Sequence, residues 1–315
     1  MAVTLNLIAI FIITFVVANF VISTTVSLLG EKFLHIQVKP RKILLWLMIL
    51  MPWLIGLATA LYLLDIYLSS SVFYTESYTH WHHMDQFDWY SWHGATLLIA
   101  LLYAVNVIGQ KIKQLYQHKQ QVNALTALAT ATEKNLIQID TPQAGAFTTG
   151  FIDKKCFVTT GLINQTTTEE YDVVISHEQA HAKANDPFKK WLFSLLAEFF
   201  IPPIAERLKL HMVLAMEQDA DNAVIKLGKD KLFVASTLIK IAKLNAQDPL
   251  VKDSELIVNF GADVLEQRIF FLLDKLKLQP INKYLTSALV LLLVLICMTS
   301  LDGIHHVIET LFSHE

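Results

Sequence analysis

The clearest chemical signal in the chain is a pair of histidines four positions apart. His177 and His181 enclose Glu178 in the sequence His-Glu-Gln-Ala-His. On an α-helix, positions i and i+4 share one face, so both imidazoles can reach one metal ion. The glutamate beside them can take a proton from a metal-bound water. The pattern indicates a hydrolytic zinc (Zn2+) site with His177 and His181 as ligands and Glu178 as the general base.

A carboxylate pair further along the chain offers a third ligand, which a hydrolytic zinc site needs beside an open position for water. Glu217 and Asp221 are also four positions apart, inside a segment, 208–227, of strong helical character. We expect Glu217 to bind the metal and Asp221 to accept the free N–H of a ligand histidine, which fixes the tautomer of that ring. The alternative is a solvated acidic face on a surface helix. Beside the paired histidines, we favour the metal site.

Local signals predict the helices that hold these residues. The segment 166–170 reads Thr-Thr-Thr-Glu-Glu, which is typical of a helix start, and residues with amphipathic spacing follow it. The paired histidines are therefore expected on a helix that begins near this segment. Further amphipathic helices are predicted at 112–132, 232–244 and 264–278.

Two short segments predict a β-hairpin upstream of the histidines. They are 146–149 and 157–160, joined around 153–155. An edge strand beside the zinc cleft could hold a substrate in extended form by strand addition. The alternative is an ordinary hairpin packed on the helices, and the sequence leaves both open.

Composition places much of the chain in a membrane. The chain is 54% hydrophobic and 17% charged, against about 25% charged in soluble domains. Because a bilayer core takes about 20 helical residues, four stretches are predicted to span it: 2–29, 43–68, 94–108 and 284–301. The apolar segment 190–204 is too short to span. It is either a helix at the membrane interface or a core helix of the soluble region.

Positive charge sets the expected orientation, because Lys and Arg concentrate on the cytoplasmic side. Four of the 25 Lys and Arg residues lie in the loop 30–42, and the other 21 lie in the region 109–283. We therefore place both termini outside the cell (plasma or inner) membrane. The predicted regions are three membrane helices in 1–108, with a cytoplasmic loop at 30–42 and an extracytoplasmic loop at 69–93; a cytoplasmic catalytic domain at 109–283; and a fourth membrane helix with a short extracytoplasmic tail at 284–315.

The same residues resemble a known family of membrane peptidases. The pattern from His177 to His181, the trailing Asp186, the Glu-x-x-Ala-Asp at 217–221 and the segment 146–161 are similar to motifs of the BlaR/MecR antibiotic sensors. The four-span layout is similar too, and the resemblance covers the chain up to about residue 300. It implies a zinc-dependent endopeptidase with the three ligands and the base given above. The implied substrate is a transcriptional repressor, an anti-sigma-like protein or the protease itself.

One feature of that family is not expected here. The antibiotic sensors carry a large extracellular penicillin-binding domain after the fourth span, whereas this sequence has only 302–315 there, too short to fold as a sensor. We therefore do not expect β-lactam sensing. The related HtpX-like and CAAX-processing proteases share both metal-binding patterns, so these patterns alone do not separate the families.

The loop 69–93 supports two interpretations. Its imidazoles and carboxylates could bind a metal or sense pH. Alternatively, its Trp and Tyr residues form an aromatic belt at the headgroup level of the membrane, and we favour the belt. The histidines concerned are His80, His82, His83 and His93.

Together these features predict a mainly α polytopic membrane protein with four transmembrane helices and a cytoplasmic zincin-like α+β protease domain with a small sheet. The expected function is zinc-dependent cleavage of a cytoplasmic or membrane-proximal protein, in a regulatory role. The alternatives are an HtpX-like quality-control protease and a non-catalytic membrane receptor. The expected partners are a protein substrate and the lipid bilayer, and a homodimer is left open. A net charge of −3 gives no basic field for nucleic acid.

Overall fold

The computed structural model describes residues 1–69, 87–127, 129–133, 136–246 and 255–282, together with parts of the segment 284–295. These residues are mainly helical, with one small mixed sheet. The helices are α1 (Ala2–Leu29), α2 (Val38–Ser69), α3 (Trp92–Ala127), α4 (Thr160–Gln165), α5 (Thr168–Ala184), α6 (Asp186–Ala197), α7 (Pro202–Lys226), α8 (Lys231–Ala246) and α9 (Glu255–Leu272). The strands are β1 (Ala129–Glu133), β2 (Leu136–Ile139), β3 (Ala146–Thr149) and β4 (Lys155–Thr159).

The chain divides into two compact units. The first comprises Met1–Gly30, Trp46–Gln110 and the described residues from Ile281 onward. The second comprises Glu31–Leu45 and Lys111–Pro280. The residues predicted to form the zinc site, His177, Glu178, His181, Glu217 and Asp221, all belong to the second unit.

Three helices among the described residues are long and apolar enough to cross a membrane. They are α1, the Val38–Asp65 part of α2, and α3, with mean hydropathies of 2.6, 2.2 and 1.6. The third is longer than the predicted 94–108 because the helix continues past the apolar stretch. The predicted fourth span, 284–301, lies largely outside the described residues. So do residues 70–86, which hold His80, His82 and His83 of the predicted outer loop.

Close packing joins α1 to α2 within the first unit. The rings of Phe15 and Trp53 lie 4.7 Å apart between centroids. A Cβ atom on Gly56 would come within 3.0 Å of Phe11. Glycine at this position therefore permits the two helices to approach, which is a common device between membrane helices.

Two predicted helices end earlier than the sequence indicates. The predicted helix 112–132 is wrong at its end: α3 stops at Ala127, and Ala129–Glu133 forms strand β1. The alternating threonines of this segment suit a strand, and pairing with β2 decides the outcome. The predicted helix 264–278 is likewise wrong beyond Leu272, where α9 ends. Asp274 has a φ of 55°, a left-handed conformation that a right-handed helix cannot contain.

The sheet has the order β1-β2-β4-β3, so β3 lies at an edge. Strand β4 pairs parallel to β2 and antiparallel to β3. The predicted strand 157–160 is displaced, because Thr159 ends the strand and its hydroxyl accepts a hydrogen bond from Leu162 N at 3.1 Å to cap α4. The hairpin turn between β3 and β4 includes Gly150, whose φ of 99° favours glycine.

Helix α5 lies at the centre of the second unit. One side of α5 packs through Val174 and Ile175 on buried residues of β4 and α4. Val173 packs instead with Val224 of α7 and with residues of α8 and α9. The helix that carries the paired histidines is therefore held from two sides.

Helix α6 covers most of the segment 190–204, for which the sequence left two interpretations. Phe193 and Ala197 are buried in the structure. Such burial favours a core helix for this face. Contact of the remaining face with the membrane interface stays a prediction.

Candidate metal centre

Helix α5 presents the two histidines and Glu178 in one stretch. The helix begins with a capping box in which Thr167 Oγ1 accepts a hydrogen bond from Glu170 N, and Thr167 N donates to the Glu170 side chain. These bonds satisfy two backbone N–H groups that a helix start leaves without partners. The helix then runs without interruption to Ala184, which places His177 and His181 one turn apart.

Helix α7 brings Glu217 to these histidines. Pro202 and Pro203 occupy the first positions of the helix, where the missing N–H of proline costs nothing. Nε2 of His177 lies 3.2 Å from Glu217 Oε2, and Nε2 of His181 lies 3.6 Å from Oε1. The two Nε2 atoms are 3.1 Å apart.

These spacings fit a zinc ion. Ligands placed tetrahedrally at about 2.0–2.1 Å from zinc are about 3.3 Å from one another. The two Nε2 atoms, 3.1 Å apart, lie close to that value, and each of them has a different oxygen of Glu217 within 3.6 Å. Two imidazoles and one carboxylate are also a donor set typical of hydrolytic zinc. The structure thus brings His177, His181 and Glu217 into a group that could hold a metal ion.

Each histidine has a carboxylate on its other ring nitrogen. Asp221 Oδ1 lies 3.1 Å from His177 Nδ1, as the sequence predicts. Asp186 Oδ2 lies 2.8 Å from His181 Nδ1, a contact that the sequence analysis missed. Asp186 entered there only as part of a family resemblance. Both carboxylates leave the Nε2 atoms facing Glu217, which is the orientation that a ligand histidine needs.

Arg268 is the main residue that the sequence analysis missed. From α9, its Nε and Nη2 donate to the two carboxylate oxygens of Asp221 at 2.9 and 2.7 Å. Its Nη1 lies 2.9 Å from Glu217 Oε2. Nothing in its sequence context marks it, because it lies 47 residues after Asp221 and on a different helix.

The comparisons with known proteins decide the family. The model of peptidase family M48 matches residues 111–287, more than half of the chain. The chain belongs to peptidase family M48. Members of this family are metal-dependent peptidases, so the protein is a metallopeptidase. No curated protein matches the chain.

The raised pKa values of the two histidines at this M48 site mean that a metal ion must compete with protons for the imidazoles. Burial alone would lower the pKa of His177, but hydrogen bonds with Asp221 and Glu217 outweigh burial and raise it. For His181, burial is likewise outweighed by Asp186 and Glu217, and its pKa rises to about 10. The same contacts hold the pKa of Glu217 well below its ordinary value, against the effect of burial. A metal ion that binds must displace the imidazole protons, so its affinity should increase with pH.

Glu178, the predicted general base, is partly buried next to the two histidines. Burial raises its pKa above the ordinary value, although His177 and His181 oppose the shift. A carboxylate with a raised pKa accepts protons more readily near neutral pH. The backbone carbonyl of Glu178 accepts a hydrogen bond from Thr148 Oγ1 at 2.8 Å, which fixes edge strand β3 beside α5.

A short segment of the second unit, residues 31–45, holds α7 on another face, and we call it the strap. Phe33 is fully buried in the strap, and its ring lies 5.1 Å from that of His211 on α7. Arg41 is also fully buried and donates to Gln218 Oε1 and, at 3.4 Å, to Phe33 O. Burial, with repulsion from Arg41 and Arg207, lowers the pKa of His211 to about 4.

The strap also makes an ion pair on α7. Lys42 Nζ lies 2.8 Å from Asp219 Oδ2. Gln218 and Asp219 directly follow Glu217, so the strap holds the helix next to the candidate ligand. The sequence analysis used Arg41 and Lys42 only to orient the chain, and this second role was missed.

Proposed function

We propose that the chain is a membrane-embedded zinc endopeptidase that cleaves a cytoplasmic or membrane-proximal protein. One observation carries the proposal: the ligand atoms of His177, His181 and Glu217 lie within 4.8 Å of one another, close enough to hold one metal ion, and Glu178 lies next to His177 in the chain. A structural zinc site usually has four protein ligands, whereas a catalytic site has three and leaves one position for water. The three-residue group supports catalysis.

The proposed roles follow from the contacts. His177, His181 and Glu217 hold the zinc, with Asp221 and Asp186 orienting the imidazoles. When bound, zinc lowers the pKa of a water molecule and polarises a carbonyl group. Glu178 takes the proton from the water and later passes it to the leaving amine.

Edge strand β3 is the proposed platform for the substrate. The order of the sheet leaves β3 at the edge, and the bond from Thr148 to Glu178 O places it next to the catalytic helix. An extended peptide can add to such an edge through main-chain hydrogen bonds. This supports binding of an unfolded or extended segment of a protein substrate.

The proposed cytoplasmic location rests on charge. All 25 Lys and Arg residues lie in 30–42 and 109–283, the two regions that share one side in a four-span arrangement. The three apolar helices among the described residues support membrane association. Cysteine labelling of single-cysteine variants at exposed positions in 111–280, with a membrane-impermeant reagent, tests this location. Labelling in intact cells would contradict it.

A matched pair of variants tests the catalytic proposal. Glu178→Gln should retain zinc and lose cleavage of β-casein, because the proton acceptor is gone while the ligands remain. Glu169→Gln is the control, since it makes the same change at an exposed residue of the same helix. Full activity in Glu178→Gln would reject the assignment of the base.

The regulatory role is a finer proposal, supported by the resemblance to the BlaR/MecR antibiotic sensors. The match to family M48 leaves open both this role and HtpX-like quality control. A comparison of cells that carry Glu178→Ala with wild-type cells separates the two. Accumulation of one repressor-like protein supports regulation, whereas accumulation of many membrane proteins supports quality control. A receptor without catalytic activity predicts no difference.

A further inference from the structure

Arg268 has hydrogen-bonding capacity that its present contacts do not use up. A guanidinium group carries five N–H donors: one on Nε and two on each Nη. Nε and one N–H of Nη2 bind Asp221, and one N–H of Nη1 binds Glu217. One N–H remains on each Nη atom. Nη2 also lies 3.5 Å from His177 Nε2.

The remaining N–H of Arg268 Nη2 faces His177 Nε2, the atom that is proposed to bind the zinc. A nitrogen bound to a metal has no lone pair left to accept a hydrogen bond. Once His177 Nε2 is a ligand, this N–H of Arg268 is therefore left for another acceptor close to the zinc. A donor beside the zinc can stabilise the negative charge that develops on the oxygen of the attacked carbonyl, in addition to the polarisation that zinc provides.

The guanidinium also lines a cavity that could hold a substrate. The cavity has a volume of about 310 Å³ and lies between residues of α7 and α9. Glu217 and Arg268 line it, together with the apolar side chains of Leu210, Val213, Val264 and Leu265. Its volume is within the range of about 300–1,000 Å³ that is typical of ligand pockets.

The charges around Arg268 determine whether it favours a carboxylate or a neutral carbonyl of the substrate as its next hydrogen-bond acceptor. Its positive charge is already paired with Asp221 and Glu217. With zinc bound, the dication and the arginine face four carboxylates, those of Glu178, Glu217, Asp221 and Asp186. Lys209, which also lines the cavity, is paired with Glu198 and Glu206. No net positive charge remains to attract the terminal carboxylate of a peptide, whereas a neutral main-chain carbonyl needs only a donor.

From these contacts we infer that Arg268 is a catalytic residue that donates an Nη hydrogen bond to a main-chain carbonyl of the substrate, while the cavity beside it takes an apolar side chain. The inference rests on the proposed peptidase function and deepens it. The substrate class is then an internal peptide bond next to an apolar residue. A chain end with a free carboxylate is the poorer substrate.

Arg268→Lys tests the role of the arginine in the full-length protein. Lysine keeps the positive charge beside Asp221, but its donors all lie on one nitrogen atom, so it cannot reproduce contacts that Arg268 makes from three nitrogens. The expected kcat for an end-blocked fluorescent peptide falls about 100-fold. In the Glu178→Gln background, the Kd for the same peptide rises about tenfold. Zinc content stays at the wild-type value. Unchanged kcat and Kd would overturn the inference, and so would loss of zinc as the sole defect.

Val213→Phe tests the cavity independently of Arg268. We use acetylated, amidated peptides that differ at one position by Gly, Ala, Leu or Phe. Wild type should cleave the Leu and Phe peptides at least about tenfold faster than the Gly peptide. Val213→Phe should reduce or reverse this preference, because the added ring fills the cavity. Leu227→Phe, at an exposed position following α7, is the matched control and should keep the preference.

The outcomes separate this inference from the proposed function. Wild type that cleaves no peptide rejects both. Wild type that requires Glu178 for cleavage but treats the Gly and Leu peptides alike rejects only the apolar cavity. Faster cleavage next to a free terminal carboxylate than inside a blocked peptide rejects the substrate class.

Discussion

Helix α7 contacts two arginines on different faces: Arg41, which is fully buried, and Arg268, whose side chain is 12% exposed. Arg268 meets two carboxylates, Asp221 and Glu217. Arg41 donates hydrogen bonds to two neutral oxygen atoms among the described residues, those of Gln218 and Phe33. Its Nε has no hydrogen-bond partner among the described residues. Arg268 thus balances negative charge at the candidate metal site, whereas Arg41 lies among neutral groups in the strap.

This difference in surroundings predicts which face of α7 tolerates amino-acid substitutions. A buried charge that loses its partner costs about 3–5 kcal/mol, whereas a buried ion replaced by a hydrophobic residue of similar volume is often neutral. Variants on the Arg268 face should therefore affect both stability and metal binding. Variants on the strap face should affect stability alone.

The largest effect is expected from Asp221→Ala. Arg268 would lose both of its Asp221 hydrogen bonds, and the free energy of unfolding should fall by about 3–5 kcal/mol. His177 would lose the partner of its Nδ1, which should weaken zinc affinity about 10–100-fold. Denaturation in detergent and zinc titration measure these effects. Asp172→Ala, which removes an exposed ion pair with Lys229, is the control, and a loss of similar size there would remove the distinction.

On the strap face, Arg41→Ala should lower the free energy of unfolding by about 2–4 kcal/mol, because it leaves a cavity and removes the partner of Gln218. Arg41→Met should cost about 1–2 kcal/mol less than Arg41→Ala, because methionine fills the space, although it also removes the donor to Gln218 Oε1. Zinc affinity should stay unchanged in both variants. If Arg41→Met were as damaging as Arg41→Ala, the charge of Arg41 would matter and the comparison would fail.

A pH titration measures the proton exchange on the metal face. The pKa of His181 is raised to about 10, so this ring carries a proton at neutral pH and must lose it to bind zinc. Zinc affinity should therefore increase at least about tenfold for each unit of pH between 6 and 8, or about 1.4 kcal/mol. Chelator competition at several pH values provides the measurement. A flat profile would contradict the raised pKa.

The smallest effect is expected from Lys42→Ala. The ion pair with Asp219 is partly exposed, so its contribution to the free energy of unfolding should be below about 1 kcal/mol. The loss should shrink further in high salt. A loss comparable to that of Arg41→Ala would show that the pair, and not the buried arginine, holds the strap on α7.

The sequence predicted the parts of the site that depend on local spacing. His177 and His181 share a helix face because of a four-residue interval, and the same interval pairs Glu217 with Asp221. The predicted contact between Asp221 and one of the two histidines follows from the chemistry of metal-bound histidine, and the structure forms it with His177. These features need no knowledge of how distant segments pack.

The missed features depend on packing between distant segments. Arg268 and the strap residue Arg41 reach α7 from α9 and α2, and no interval in the sequence encodes that meeting. Strand β1 was assigned to a helix for the same reason, since its pairing with β2 overrides a weak local preference. Sequence analysis thus found the residues that meet at the candidate metal centre but not the cations that surround them.

Zinc analysis of the purified full-length protein tests the central claim most directly. Wild type should hold one zinc per chain, Glu217→Ala should lose it, and Asp219→Ala should retain it. The two carboxylates are two positions apart on α7, but Glu217 faces the histidines and Asp219 faces the strap. Retention of zinc in Glu217→Ala at the wild-type level and affinity would contradict the account.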